Sequence, residues 1–199
     1  MLLDIGNITG DHMRKIVQLK IVRLILRCFF SIFYQKKYLV GKYFDQKSMG
    51  WLWAWRGLHG RIWGENRNVP WPVHPRTIVQ GANNITFPQD SFHIFQVPGC
   101  YWQAFDAKIT VGTNCHVAPN VGIVTTNHDI HNPALHVPGK DITIQDNCWI
   151  GMNSVILSGV VLGENTIVAA GAVVTKSFPE GHCVIGGVPA KVIKQIEAE

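Results

Sequence analysis

The sequence is short of several features, and each shortage removes a class of protein. Its five cysteines (Cys28, Cys100, Cys115, Cys148 and Cys183) are odd in number, scattered, and never spaced as CxxC. That pattern excludes a disulfide framework and a zinc ribbon, and it fits a reduced, cytosolic compartment. Long apolar runs are missing too. The uncharged run in the N-terminal region, Cys28 to Gln35, is only eight residues, against the ~20 needed to span a bilayer. No cleavable leader is legible, because the early apolar stretch starts late, is studded with Lys and Arg, and lacks a small-residue cleavage site. Nor is there a glycine-rich phosphate loop.

Charge is sparse, at 16% of residues against 47% hydrophobic, which argues against wholesale disorder. The formal net charge of +5 is unevenly spread. Residues 1–70 hold 12 Lys and Arg against 4 Asp and Glu, and residues 71–199 hold 6 against 9. The basic character therefore belongs to the N-terminal third, and no nucleic-acid partner is expected. At 199 residues, the chain is long enough for one well-filled core and a small appendage.

What the chain does have is a repeat. Read in sixes from Ile144, it runs IQDNCW, IGMNSV, ILSGVV, LGENTI, VAAGAV, VTKSFP. The first position is Ile144, Ile150, Ile156, Leu162, Val168 and Val174; the fifth is Cys148, Ser154, Val160, Thr166 and Ala172, all small or β-branched. The same template fits upstream in FDAKIT, VGTNCH and VAPNVG, starting at Phe105, Val111 and Val117. A period of six matches neither a 3.6-residue helix nor simple alternation. It predicts three short strands per coil of a parallel β-helix, with the aliphatic residue filling the core and the small residue fitting a tight corner. Glycine follows the aliphatic position at Gly112, Gly151 and Gly163, where little room or an unusual φ is expected.

The regular blocks end near Ile123 and resume at Ile144, a spacing that is not a multiple of six, so an extruded loop is expected over 125–143. Residues 71–101 are read as irregular early coils. The ending GGVPAKVIKQIEAE is expected to cap the last coil and finish in a short C-terminal helix, with Pro189 near its start. The organisation is thus a basic, helical and aromatic segment over 1–70, then a mainly β, parallel β-helix domain over 71–199.

In that N-terminal segment, a helical reading of Lys20–Tyr34 puts Lys20, Arg23, Arg27, Ser31 and Tyr34 on one stripe and apolar residues on the rest. This suggests a helix lying in a membrane interface, a peripheral contact through residues 12–55 at the inner face of the membrane, with Trp51, Trp53 and Trp55 as further anchors. The alternative is packing against the β-helix or another subunit.

The stretches ITVGTNCHVAPNVGIVTTNHDIH, ITIQDNCWIGMNSVILSGVVLGENTIVAAGAVVTK and GGVPAKVIK resemble the hexapeptide-repeat acyltransferases, which include galactoside, maltose, serine and nodulation-factor acetyltransferases and polysaccharide O-acetyltransferases. The resemblance covers roughly residues 100–195. It implies left-handed coiling, where the general preference for right-handed crossovers would predict the opposite. It also implies a homotrimer, with acetyl-CoA lying in a groove between neighbouring β-helices.

The resemblance assigns roles residue by residue. His128 matches the general base, and Met152 the residue whose backbone N–H faces the developing oxyanion. Trp149 matches a tryptophan beside the reacting centre. Ala170, Thr175 and Lys176 match positions along the CoA arm, with Lys191 and Lys194 available for phosphates. Tyr101, Trp102, Asp106 and Asn127 are candidates for acceptor contacts. An upstream active-site asparagine of the sugar acetyltransferases falls here on Pro98, which argues against a simple galactoside as acceptor.

The expected function is an acetyl-CoA-dependent O-acetyltransferase acting on a sugar hydroxyl in surface polysaccharide synthesis, with no metal. Alternatives are acetylation of serine, an amino sugar or an antibiotic, a non-catalytic β-helical scaffold, or a carbonic anhydrase-like zinc enzyme built on His93, His116, His131 and His136. The last two histidines fall in the extruded loop, out of hexapeptide register, and read as residues shaping the loop. Cys115 and Cys148 occupy the small repeat position and read as packing residues.

Overall fold

The computed structural model describes residues 19–197. The part of the membrane-contact expectation that falls on residues 12–18 lies outside the described residues.

The six-residue period becomes three parallel faces. One face stacks β1 (Ile78–Gln80), β3 (Tyr101–Gln103), β6 (Gly122–Val124), β9 (Val155–Ile156) and β12 (Val173–Val174). The second stacks β2 (Ile85–Thr86), β4 (Ile109–Val111), β7 (Ile142–Ile144) and β10 (Val161–Leu162). The third stacks β5 (His116–Val117), β8 (Trp149–Ile150), β11 (Thr166–Val168), β13 (Cys183–Gly186) and β14 (Lys191–Gln195). The chain visits the first, second and third faces in turn, so every coil presents three corners. In the first coil the 3₁₀ segment Gln89–Gln96 takes the place of a third-face strand and packs beside β5.

Register shows why the aliphatic column is continuous. Ile144 stacks on Leu162, Ile150 on Val168, and Ile156 on Val174, each eighteen residues apart. Both repeat positions point inward: Cys115, Cys148, Thr166 and Ala172 are as buried as the aliphatic residues. Phe105 departs from the template. The corner between β3 and β4 is filled by the smaller Ala104 and Ala107, which leaves Phe105 outside. Earlier coils are longer, as Trp102 stacks on Ile123 twenty-one residues away and Ile85 on Ile109 twenty-four away.

The tight turn sits at the fourth position of the repeat. Asn114, Asn120, Asn147, Asn153 and Asn165 all have φ between 52° and 61°, and Gly159 and Gly171 fill the same position at 82° and 71°. Asparagine tolerates this left-handed region better than other side-chain-bearing residues. The amides also bridge coils, with Asn114 Nδ2 donating to Asn147 Oδ1 at 2.9 Å and Asn120 Nδ2 to Asn153 Oδ1 at 3.0 Å. Gly151 and Gly163 are needed for space instead. A Cβ on Gly163 would lie 2.3 Å from Pro179 O, and one on Gly151 2.6 Å from Val168 O.

Both ends are closed, by different means. At the N-terminal end Trp71, Phe87, Phe95 and Trp102 form an aromatic plug, with ring centroids 4.7–5.1 Å apart along the chain of contacts. Helix α1 (Lys20–Phe30) and helix α2 (Met49–Ile62) share one apolar cluster with this plug and the coils. Trp51 and Trp53 are buried in it, so only Trp55 of the three expected tryptophan anchors faces outward.

At the other end the expected helix is absent. Residues 191–195 form β14, antiparallel to β13. The reason is the open edge of the third face: a strand pairs the N–H and C=O groups of β13 that a helix would leave unpaired. Among the described residues, no helix is long and apolar enough to cross a membrane.

Replacing Gly163 by alanine pushes a methyl group into the backbone of the next coil. The expected cost is about 1–3 kcal/mol, read as a lowered denaturant midpoint, and an unchanged midpoint would refute the close-approach argument.

Candidate active site

Within the regular body, one coil breaks the eighteen-residue spacing. Val111, Val117 and Ile123 stack on Ile144, Ile150 and Ile156 at thirty-three residues instead. The extra fifteen residues leave at the corner between the first and second faces, from Thr125 to Asp141, as a twisted pair of extended segments. The base is closed by Lys140 N donating to Thr125 O at 3.0 Å and Val137 N to Asn127 O at 3.0 Å. Higher up, His128 and His136 form an antiparallel bridge with their rings 4.4 Å apart. At the tip, Asp129 Oδ1 accepts from the backbone N–H groups of His131 and Asn132, at 2.8 and 2.9 Å respectively.

His128 is exposed and oriented. Its Nδ1 lies 2.7 Å from the carbonyl oxygen of Pro133. A carbonyl can only accept, so Nδ1 carries the proton and Nε2 of the neutral ring is left as an acceptor. This arrangement suits a general base.

Asp106 explains how the loop is held. One carboxylate oxygen accepts from Thr126 Oγ1 at 2.8 Å, and the other accepts from the Gly139 N–H at 2.9 Å. The Gly139 and Thr126 hydrogen bonds hold its carboxyl below the usual carboxylate range. Asp106 is therefore engaged in clamping both sides of the loop base. Beside its expected role as an acceptor contact, it holds the loop in position. Trp102 is corrected: it is fully buried in the aromatic plug and out of reach of any substrate. Tyr101 is half-buried, its hydroxyl donating to Gln80 Oε1 at 2.7 Å, and Asn127 is exposed at the loop base.

Met152 lies at a different corner, between the third and first faces. The N–H groups on either side of it are used, Gly151 to Val168 O at 2.8 Å and Asn153 to Pro119 O at 3.1 Å. No hydrogen bond from the Met152 N–H occurs among the described residues. Trp149, two residues before Gly151, stands exposed on the third face between His116 and Ile167. Ala170 is at the Met152 corner one coil on, where the next residue, Gly171, donates its N–H to Met152 O at 2.8 Å. Thr175 and Lys176 follow β12 and are exposed at the same corner as the loop. Lys191 and Lys194 are exposed on β14.

The expected site residues thus fall into two groups. His128, Thr175 and Lys176 share one edge of the first face, while Met152 and Ala170 share the other. Within one chain these are different corners of the triangular coil, the first-to-second-face corner and the third-to-first-face corner. The remaining histidines make a separate pair, with His93 Nε2 3.1 Å from His116 Nδ1. His93 also meets the Tyr43 hydroxyl at 2.9 Å, and burial lowers its pKa. The four histidines of the zinc alternative are therefore split between this pair and the loop. Among the described residues, no group of three or more His, Cys, Asp or Glu side chains is placed to hold a metal ion.

Known proteins share the repeat. Residues 141–176 match the family model described as bacterial transferase hexapeptide (six repeats). The galactoside O-acetyltransferase of Escherichia coli K12 is 41% identical over 95 residues, 46% of this chain and 46% of that protein. The galactoside O-acetyltransferase of Lactococcus lactis is 36% identical over 95 residues, 46% of this chain and 45% of that one. The chain spans about half the length of the curated relatives it matches. Among solved structures, a point mutant of the N-acyltransferase AntD from Bacillus cereus shares the fold at 14% identity, with a TM-score of 0.50 over 63% of this chain and 81% of that one. Residues 141–176 are thus a bacterial-transferase hexapeptide repeat, and they belong to a mainly β body coiled as a left-handed β-helix.

Proposed function

We propose that the protein is an acetyl-CoA-dependent O-acetyltransferase that acylates a sugar hydroxyl of a surface polysaccharide or its precursor. The observation that carries this reading is the His128 imidazole, held by Pro133 with Nε2 directed away from its own anchor. The kinship with galactoside O-acetyltransferases supports a sugar as acceptor.

The chemistry is direct transfer. His128 Nε2 takes the proton from the acceptor hydroxyl as its oxygen attacks the thioester carbonyl. Negative charge develops on the carbonyl oxygen, where the unengaged Met152 N–H can donate. Collapse breaks the C–S bond, and the imidazolium returns its proton to the departing thiolate. The products are the acetyl ester and free CoA. No covalent enzyme intermediate is needed, since both substrates are held in one site. Trp149 flanks the reacting centre, while Ala170, Thr175 and Lys176 line the CoA arm.

The placement of the two edges supports a shared-site assembly. In this reading His128 and Met152 stand at different corners of the coil, and a complete site pairs the loop edge of one protomer with the Met152 edge of another. Three such pairings around an axis make a closed homotrimer. Lys191 and Lys194, exposed on the terminal strand, then remain available to CoA phosphates.

Release of free CoA thiol, measured with a panel of oligosaccharides, simple sugars, serine and amino sugars, tests the reading. His128→Ala is expected to lower acceptor-dependent release by about 10²-fold or more. Release unaffected by the substitution would refute the base, and stimulation by amines alone would replace the hydroxyl acceptor.

Subunit complementation tests the shared site. His128→Ala and Met152→Pro are each expected to be inactive alone, while co-expression restores about a quarter of the sites by random assembly. No recovery in correctly assembled mixed trimers would place both groups in one chain's site.

Asp106→Asn weakens the clamp without removing any reacting group. The expected result is faster amide exchange at Gly139 and a fall in kcat with little change in the KM for acetyl-CoA. Because the Asp106 carboxyl is held below its ordinary value, the clamp is intact above the normal carboxylate range and lost as pH falls through the lowered value. In the wild type, loop protection should therefore persist at about pH 5 and disappear only in stronger acid.

A further inference from the structure

Helix α1 is mounted the opposite way round from an ordinary surface helix. Its polar stripe faces the protein. Arg23 Nη1 donates to Asp45 O at 2.7 Å, Arg27 Nη2 to Asp45 Oδ1 at 2.8 Å, and Arg27 Nε to Leu39 O at 3.1 Å. Asp45 is itself held, its Oδ2 accepting the Gly41 N–H at 2.7 Å. On the same side Phe30 is buried against Trp51, and Tyr34 is buried with its hydroxyl donating to Ala54 O at 3.0 Å. The apolar side is left outward, with Ile21, Leu24, Ile25, Phe29, Ile32 and Phe33 all exposed, Ile32 at 74%. Rolling the helix to bury these residues would break every one of the Arg23, Arg27 and Tyr34 contacts.

The charge around this face has one sign. Between Leu19 and Asp45 the chain contains no Asp or Glu and six Lys and Arg. Two arginines are bound to Asp45 and Leu39, whereas Lys20 at one end of the apolar face and Lys36 and Lys37 at the other are exposed. A second copy would bring the same cations against themselves. A surface that is negatively charged at its rim and apolar beneath complements both features, since lysine stems can lie along the apolar face while their ammonium groups reach anionic headgroups.

We infer that α1 and the turn after it form a built-in docking face for an anionic lipid bilayer, held outward by the Arg23–Arg27–Asp45 cluster. The helix lies in the interface and does not cross it. This inference concerns the N-terminal helices and stands apart from the transfer chemistry, because lipid binding requires neither acetyl-CoA nor acceptor.

The test is flotation of the full chain with vesicles of phosphatidylcholine alone and of phosphatidylcholine with about 30% phosphatidylglycerol, alongside CoA release and molar mass by light scattering. The wild type is expected to float with the anionic vesicles and not with the neutral ones, and to detach as salt rises. Leu24→Glu combined with Phe29→Glu is expected to weaken flotation at least about tenfold while leaving molar mass and CoA release in solution unchanged. Lys36→Glu with Lys37→Glu is expected to weaken binding to anionic vesicles alone. Absence of wild-type flotation on anionic vesicles, or equal flotation of the Leu24/Phe29 variant, would overturn the inference. A drop in molar mass in that variant would overturn it too, by showing that the face is buried between copies.

Discussion

Everything in the coiled body depends on a corner that only a few residues can make. In the regular repeats from Asn114 to Gly171 the fourth residue takes φ between 52° and 82°, and it is always asparagine or glycine. That corner brings the next strand back over the previous one, so the aliphatic positions eighteen residues apart meet in one column. The side chain of the corner residue then adds a bond between coils, as in the Asn114–Asn147 and Asn120–Asn153 pairs. The hydrophobic column supplies most of the stabilising free energy, at about 1.5–3 kcal/mol for each fully buried Val, Leu or Ile. The corners decide where that column can form.

A rigid stack of this kind offers chemistry few places to reside. Its interior is filled and its faces are short, so functional groups gather at corners, either on an inserted loop or on a backbone N–H left without a partner. Both devices occur here. The Thr125–Asp141 insertion is clamped at its base by the Asp106 carboxylate and carries His128 clear of the coil. The Met152 N–H makes no hydrogen bond among the described residues, while the N–H groups beside it bond to neighbouring coils. Two edges of one face thus hold complementary halves of the proposed transfer site, and under that reading assembly is a condition of activity.

The repeat is the most legible part of the sequence, since period six with alternating aliphatic and small residues leaves little room for another fold. The extruded loop is legible as a break in that period. The corner asparagines carry an equally regular message at the fourth position, which the glycines at the second position overshadow. Trp102 and Asp106 read as acceptor contacts because they lie near Pro98, where the sugar acetyltransferases have an asparagine, but nearness says nothing of direction: one turns into the aromatic plug, the other hydrogen-bonds both sides of the loop base. KVIKQI reads as a helix because a capping element is expected after Pro189, and only the unpaired edge of β13, invisible in sequence, selects a strand. The location of the two half-sites also requires the coil geometry, which assigns residues 128 and 152 to different corners.

The N-terminal helix shows the limit of hydrophobic pattern as a guide to packing. Its pattern correctly separates an apolar from a polar side, yet the polar side packs against the body. Electrostatics alone would not outweigh the apolar burial forgone. A partly exposed arginine–aspartate pair is worth about 0–1 kcal/mol, whereas each large apolar side chain left in water forgoes about 1.5–3 kcal/mol. The orientation is sustained by Phe30 and Tyr34, whose rings join the core beside Trp51, with the arginines fixing the rotation about the helix axis. Even so, an apolar face of this size in water is a standing cost, and a chain that retains it gains only where another apolar phase covers it. The absence of acidic residues between Leu19 and Asp45 suits that face to a negatively charged surface.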